Sequence, residues 1–191
     1  MLNAENLSFS YKNNKVLDGL SFTLADGECL IFTGANGSGK STVLAIAAGI
    51  LKPDSGNITV DGAVAYLPQA NALFADMTVL ANLRFFAKLA GKKLEGELPL
   101  GLEELKNKRV GKLSGGQQKR VSIACTFIAD ADILLLDEPC SGLDKDWQEC
   151  FLNMVSEKKK KGCSIIYVSH NPDEYSGFAD RIIDFTKEDN K

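Results

Sequence analysis

The sequence has few residues that could bind zinc or form disulfide bonds. It contains one histidine, and its five cysteines are scattered at Cys29, Cys125, Cys140, Cys150 and Cys163. No two of them form a C-x-x-C pair, the spacing that structural zinc sites commonly use. An odd number of scattered cysteines is typical of reduced thiols, so we expect most of them to be small residues of the core.

The sequence also lacks a long hydrophobic run and an excess of positive charge. No apolar stretch approaches the roughly 20 residues of a membrane-spanning helix, and residues 1–6 lack the basic-then-apolar pattern of a signal peptide. The net charge of -3 does not favour nucleic-acid binding. We therefore expect a cytosolic protein that binds no nucleic acid and reaches a membrane only through a partner.

Hydrophobic patterning predicts a single α/β domain over residues 1–191, with hydrophobic residues making up 45% of the chain. The first part is rich in candidate strands, at residues 2–10, 20–24, 28–32, 57–60 and 63–67. Apolar residues at helical spacing, interrupted by glycines, predict a small helical insertion at about 71–112. In the last third, helices at 117–129 and 145–161 alternate with apolar runs at 133–136 and 164–168. Such runs are typical of strands buried in a parallel sheet.

Residues 34–41 have the composition and the context of a phosphate-binding loop. The segment reads Gly34-Ala35-Asn36-Gly37-Ser38-Gly39-Lys40-Ser41. Its glycines allow a tight turn whose N–H groups point at phosphate oxygens, while Lys40 can bridge the β- and γ-phosphates and Ser41 can ligate Mg²⁺. A glycine-rich turn could match by chance, but here a predicted strand precedes the loop and a predicted helix follows it. The positive end of that helix would face the phosphates.

Two acidic residues, Asp137 and Glu138, follow the apolar run at 133–136. Ligands of open α/β sheets bind at the carboxyl ends of the strands, which is where these acids would lie. Asp137 could hold Mg²⁺ through its water shell, and Glu138 could polarise an attacking water as a general base. Cys140, two residues further on, is either oxidation-sensitive or simply buried, and we expect it to be buried.

A second glycine-rich loop begins another predicted helix. In Leu113-Ser114-Gly115-Gly116-Gln117, a hydroxyl and backbone N–H groups are presented at a helix N-terminus, which makes a second anion site. By itself the motif could be a simple helix cap. One triphosphate does not need two such loops from one subunit, so the motif predicts a composite site shared by two copies of the chain.

With these motifs in this order, the sequence resembles the ATP-binding subunits of ABC transporters over essentially its whole length. Residues 34–41 resemble the Walker A motif, 113–117 the signature motif and 136–138 the end of the Walker B motif. The resemblance implies a P-loop NTPase core with a mixed or parallel sheet, an N-terminal antiparallel β subdomain and a small α-helical insertion. It also implies ATP hydrolysis, ATP and Mg²⁺ as ligands, and two kinds of partner: a second copy and integral membrane subunits.

The resemblance also assigns roles to residues that composition alone would not single out. Gln69 resembles the Q-loop glutamine and His170 the switch histidine, which with Glu138 form the implied catalytic set. Ser41, Gln69 and Asp137 are the implied Mg²⁺ residues. The implied nucleotide contacts are Tyr11, Gly34, Ala35, Asn36, Gly37, Ser38, Gly39, Lys40, Ser41, Thr42, Ser114, Gly115, Gly116, Gln117 and Asp144. Taken singly, Gln69 could be a polar loop residue, Asp144 a helix N-cap and Tyr11 a core aromatic. At Ala35 the family often has proline.

Within the family, the chain looks like the ATP-binding subunit of the haem exporter of bacterial cytochrome c biogenesis. Residues 65–69, 78–86 and 117–124 carry this resemblance, together with a lean insertion and a chain that ends soon after His170. The implied location is the cytoplasmic face of the inner membrane, with haem handled by the membrane subunits. Another ABC exporter and a soluble ABC ATPase of iron–sulfur cluster assembly are the alternatives.

Overall fold

The structure, a computed structural model, describes residues 1–185 and contains two β-sheets. The smaller sheet is antiparallel in the order β2-β1-β4, with strands β1 Leu2–Tyr11, β2 Asn14–Leu24 and β4 Ser55–Val60. The larger sheet has the order β5-β6-β7-β3-β8. Its strands are β3 Cys29–Thr33, β5 Val64–Leu67, β6 Ile133–Asp137, β7 Ser164–Val168 and β8 Arg181–Asp184. All of its pairings are parallel.

Helices follow most strands of the larger sheet. They are α1 Lys40–Ala47, α2 Val79–Leu89, α3 Gly115–Ile128, α4 Lys145–Lys160 and α5 Pro172–Tyr175, with 3₁₀ turns at Glu103–Leu105 and Val110–Lys112. None of the helices within residues 1–185 combines the length and the apolarity that crossing a membrane requires.

The parallel sheet separates two hydrophobic clusters. Along β6, Leu134 and Leu136 face the cluster formed with α2, α3 and α4, whereas Ile133 and Leu135 face α1 and the antiparallel sheet. Successive side chains of a strand point to opposite faces, so a strand covered on both sides needs an apolar residue at every position. This explains why β6 reads as a continuous apolar run, and each such buried side chain stabilises the fold by roughly 1.5–3 kcal/mol.

The strand register brings distant loops to one edge of the sheet. Asp137 pairs with Val168, and Val168 pairs with Phe32, so β6, β7 and β3 end side by side. Leu67, the last residue of β5, pairs with Leu136. The loops that leave these four strands therefore all start at the same edge, although they are far apart in the sequence.

The predicted fold is confirmed, with differences in detail. The larger sheet is parallel throughout the described residues, and the antiparallel strands lie in the separate N-terminal sheet. The segment 71–112 holds one α-helix, which begins at Val79 after the Thr78 cap, and two 3₁₀ turns, so the insertion is less helical than expected. Helix α5 and strand β8 were not predicted, because four residues are too few to reveal a period.

Candidate functional site

The loop between β3 and α1 wraps around the ammonium group of Lys40. Lys40 Nζ donates to the carbonyl oxygens of Gly34 and Ala35, both at 2.7 Å, and to Ser38 Oγ at 3.3 Å. Gly39 has a φ of 100°, and a Cβ there would lie 2.7 Å from Leu17 Cδ2. Only glycine fits that position without displacing the β2 side chain, so the antiparallel sheet helps to shape the loop.

Helix α1 starts directly from this loop. Its N-cap is Gly39, which has no side chain that could cap the helix. The first turn, which lies wholly within the described residues, contains no acidic residue. The first N–H groups of a helix have no intrahelical partner and carry partial positive charge. The start of α1 therefore offers N–H donors to an anion, as the sequence predicted for the phosphates.

A cavity of about 500 Å³ opens over the loop. Its walls are formed by the loop residues Asn36, Gly37, Ser38, Gly39, Lys40, Ser41 and Thr42, and by Tyr11, Asn14, Val16, Gln69 and Glu138. Tyr11 is 51% exposed at the rim, where its ring packs edge-on against Phe9 at 4.9 Å. Sequence reasoning missed Asn14 and Val16, although two residues that are two positions apart on a strand share a face.

Asp137 contacts Ser41 of this cavity wall and is 2% exposed. Burial raises the pKa of its carboxyl group, and a hydrogen bond from the Ser41 hydroxyl opposes that shift. Asp137 Oδ1 is buried and has no hydrogen-bond partner among the described residues. A hydroxyl beside a carboxylate with an unused oxygen is a set of hard donors that fits Mg²⁺.

Three sequence-predicted residues converge above Asp137. Gln69 Nε2 donates to Glu138 Oε2 at 3.0 Å, and His170 Nε2 lies 3.6 Å from Glu138 Oε1. The backbone N–H of Glu138 donates to Val168 O at 3.1 Å, which ties the residue to the end of β7. The loops after β5, β6 and β7 thus place an amide, a carboxylate and an imidazole within hydrogen-bonding or ion-pairing reach.

The ammonium group of Lys40 is buried and lies close to three carboxylates. Burial lowers the pKa of the Lys40 ammonium, while the carboxylates of Glu138, Asp137 and Asp184 act in the opposite direction. Lys40 is only 6% exposed, so its charge is held among the loop carbonyls and these acids. A buried ammonium group held in this way is well placed to form a charge-assisted hydrogen bond with an incoming phosphate.

A second cluster lies at the start of α3. Ser114 Oγ accepts from the N–H of Gln117 at 3.3 Å, and Gln117 Oε1 accepts from the N–H of Ser114 at 3.1 Å, which together form a capping box. A cavity of about 290 Å³ lies beside it, lined by Ser114, Gly116, Gln117, Arg120, Gly142, Leu143, Asp144 and Trp147. Gly115 belongs to the motif but does not line this cavity.

Asp144 has a structural task at this cluster. Its Oδ1 accepts from the N–H of Trp147 at 3.1 Å and caps helix α4. No residue lines both this cavity and the cavity over the phosphate-binding loop. The two predicted anion-binding elements of one chain are therefore separate.

The contacts of Arg120 and Trp147 were missed by the sequence analysis. The Arg120 guanidinium lies 4.2 Å from the centre of the Trp147 ring, and Arg120 Nη1 donates to Leu100 O at 2.9 Å. These bonds join α3, α4 and the segment before the first 3₁₀ turn. Because the three segments are far apart in the sequence, their spacing carries no signal of this contact.

Comparison with known proteins identifies the family. A sequence profile described as "ABC transporter" matches residues 17–141. An uncharacterised ABC transporter ATP-binding protein of Methanocaldococcus jannaschii is 35% identical over 95% of this chain and 72% of its own length. The linearmycin resistance ATP-binding protein of Bacillus subtilis is 33% identical over 95% of this chain, which spans 65% of that relative.

Two further similarities agree with this assignment. The cytochrome c biogenesis ATP-binding export protein of Agrobacterium fabrum is 34% identical over 90% of this chain and 89% of its own length. A solved structure described as the ATP-binding subunit of an ABC transporter superposes with a TM-score of 0.85 at 27% identity, over 96% of this chain and 85% of that one. The chain belongs to the ABC transporter family, in which it is an ATP-binding subunit and an ATP hydrolase.

Proposed function

We propose that two copies of this chain enclose two ATP molecules and drive a membrane transporter. One observation carries the first part of this proposal: the two clusters that are predicted to bind anions line different cavities and share no lining residue. A nucleotide on Lys40 of one copy would complete its contacts with Ser114 and Gly116 of the other. The γ-phosphate would then bind the closed pair better than the open pair, which is what a nucleotide-driven switch requires.

In this proposal the chain's own residues position the attacking water. Glu138 is the general base; Gln69 donates to one of its carboxylate oxygens, and His170 lies 3.6 Å from the other. Mg²⁺, when bound, would be held by Ser41, Gln69 and Asp137 and would neutralise charge on the phosphates. Hydrolysis would remove the charge that joins the two copies, and the pair would reopen.

An exposed apolar surface beside Gln69 supports a membrane partner. Phe74, Phe85 and Leu89 are 45%, 43% and 73% exposed, and the rings of Phe74 and Phe85 pack edge-on at 4.9 Å. A cavity of about 260 Å³ adjoins them, and its wall includes Pro68, the residue before Gln69. Exposed apolar clusters of this kind mark protein interfaces. A membrane subunit bound here would lie against Pro68, which precedes the catalytic Gln69 in the sequence.

We further propose haem export for cytochrome c maturation as the transport reaction, at the cytoplasmic face of the inner membrane. The cytochrome c biogenesis relative supports this choice, since the match spans 89% of its length. By this proposal the chain supplies ATP energy and its membrane partners handle haem. Export of another small molecule is the second candidate, favoured by the similarity to the linearmycin resistance protein.

The substrate proposal can be tested in the native host. A strain that lacks this chain should lose covalently bound haem from its c-type cytochromes, measured by haem staining of denaturing gels. The wild-type gene should restore the stain, and a Glu138→Gln gene expressed to the same level should not. A strain with unchanged c-type cytochromes would reject haem export and favour the second candidate.

The partner proposal needs a different measurement. Affinity purification from detergent-solubilised membranes should recover integral membrane subunits with the wild-type chain, and Leu89→Asp should lose them. Ile50→Asp is the matched control, because Ile50 is 65% exposed and lies outside this apolar surface. Recovery of cytosolic proteins alone would instead place the chain among the soluble ATPases.

A further inference from the structure

Two residues that precede His170, Tyr167 and Ser169, donate to a single carboxylate. Glu174 Oε2 accepts from the Tyr167 hydroxyl at 2.9 Å and from Ser169 Oγ at 2.9 Å. Ser169 Oγ in turn accepts from the backbone N–H of Asn171 at 3.0 Å. His170 lies between Ser169 and Asn171, so both of its neighbours in the chain are fixed by this network.

The same network reaches the segment that carries Glu138. The Tyr167 oxygen lies 3.4 Å from Cys140 Sγ, two residues after Glu138. Because the Tyr167 proton is donated to Glu174, the Cys140 thiol is the donor of this contact. The bonds therefore run without interruption from Cys140 in the loop after β6, through Tyr167 in β7, to Glu174 in helix α5.

Burial makes these bonds costly to lose. Tyr167 is 0% exposed, Ser169 is 4% exposed and Cys140 is 2% exposed. A buried hydroxyl that loses its partner retains the cost of its desolvation, so the surrounding backbone shifts to find another partner. His170 itself is 44% exposed and has little packing of its own to hold it. Its placement 3.6 Å from Glu138 thus depends on the bonds of its neighbours.

We propose that Glu174 is a positioning residue that holds His170 against Glu138. Glu174 acts through the backbone of residues 169–171 and through Tyr167, and it does not line the cavity over the phosphate-binding loop. This inference rests on the proposed function, since it assigns Glu174 a task in the same hydrolytic site.

A direct test uses the fact that the chain has one histidine. In protein labelled with ¹³C at histidine Cε1, the wild type should give one imidazole signal at a shift set by its folded surroundings. Glu174→Ala should move this signal toward the random-coil position or broaden it. Asp173→Ala is the matched control on the same short helix, because its side chain is exposed and outside the network, and it should leave the signal unchanged.

A double-mutant cycle tests whether the effect on hydrolysis runs through His170. Glu174→Ala should lower kcat by about ten-fold while the Kd for MgATP changes by less than about two-fold. Glu174→Gln, whose amide oxygen can still accept these bonds, should recover most of kcat. In a His170→Ala background, Glu174→Ala should cause no further loss of kcat.

The outcomes separate this inference from the proposed function. An unchanged histidine signal in Glu174→Ala, or an equal loss of kcat with and without His170, would overturn the positioning role while ATP hydrolysis stands. A Glu138→Gln chain that stays monomeric at saturating MgATP would reject the proposed function, and the histidine signal would still decide what Glu174 holds. Should Glu174→Ala fail to fold, Ser169→Ala removes one arm of the network and enters the same cycle with the same criteria.

Discussion

At the scale of single residues, the backbone of Glu138 is held in a conformation that residues with a Cβ atom rarely adopt. Its φ of 43° lies in the left-handed region, where a residue with a side chain is strained by roughly 1–3 kcal/mol. The bond from its N–H to Val168 O and the contacts with Gln69 and His170 hold it there. Strain that the surroundings sustain in this way is common at catalytic positions, in agreement with a general base at this site.

The first prediction concerns the charge of this side chain. Glu138→Gln keeps the shape and the bond to Val168 but removes the base, so we expect kcat to fall on the order of 10²–10⁴-fold with ATP affinity unchanged. The variant should accumulate as an ATP-bound dimer, measured by size-exclusion chromatography with light scattering. Normal turnover would exclude Glu138 as the base, and a monomer at saturating MgATP would contradict the enclosed-nucleotide proposal.

The second prediction concerns the cysteines. Burial raises the pKa of the Cys29, Cys125 and Cys140 thiols to about 12, and it also raises the pKa of the Cys163 thiol. A raised thiol pKa means less thiolate, on the order of one molecule in 10⁴ at pH 8 for a pKa near 12. Iodoacetamide should therefore modify these four residues only after unfolding in guanidinium, as measured by mass spectrometry. Rapid modification of native Cys140 would show that its environment is open.

At the scale of elements, the signature motif (residues 113–117) at the start of α3 packs against the loop before α4. A Cβ added at Gly116 would lie 2.7 Å from the Gly142 carbonyl oxygen, whereas one added at Gly115 would meet nothing within 4 Å. The two neighbouring glycines at the start of α3 thus have different tasks. Gly116 permits the contact between the loops, and Gly115 is not needed for packing within the chain.

The third prediction follows from this difference. Gly116→Ala should lower the free energy of unfolding by about 1–3 kcal/mol, because the loop before α4 must move away. Gly115→Ala should not lower it and should raise it by up to about 1 kcal/mol, since its methyl group enters open space at a helical position where Ala is favoured over Gly. Urea denaturation of the two variants without nucleotide measures both values. Equal free energies of unfolding for the two variants would mean that the loop before α4 can move away from residue 116 without loss of stability.

At the scale of the whole molecule, the two clusters that are predicted to bind anions lie on one chain but in different cavities. Lys40 lines one cavity and Ser114 the other, with Glu138 on the side of Lys40. In the proposed arrangement, a second copy brings the Ser114 cluster to a phosphate bound at Lys40. Dimerisation is therefore expected to depend on nucleotide rather than on a permanent apolar interface.

The fourth prediction tests this arrangement by mixing two inactive variants. Lys40→Ala should lose most ATP affinity, and Ser114→Asp should keep the helix cap while repelling the phosphate of the other copy. A mixed dimer contains one site with an intact Lys40 and an intact Ser114, so hydrolysis should return on mixing. Each variant alone, at twice the concentration, is the control. No recovery from two folded variants would show that a single copy forms the whole site.

Much of the fold and of the site could be predicted because local spacing determines local geometry. The glycines of residues 34–41 encode a tight turn, the run Ile133–Asp137 encodes a strand covered on both faces, and Ser114 with Gln117 encodes a helix cap. Short elements without a period, such as α5 and β8, gave no such signal. Asn14 and Val16 line the nucleotide cavity only because the hairpin of β1 and β2 lies beside the loop.

The amino-acid sequence by itself determined the family, the phosphate-binding loop, the acids at the end of β6 and the second glycine-rich cap, because each is written in a few consecutive residues. Tertiary structure alone decided that Gln69 and His170 reach Glu138, that Tyr167 and Ser169 both donate to Glu174, and that the two clusters lie apart. The reason is that these contacts depend on strand order and register. Only the parallel pairing of β5, β6, β7 and β3 brings the ends of segments more than sixty residues apart in the sequence, such as Gln69 and Glu138, to a common edge.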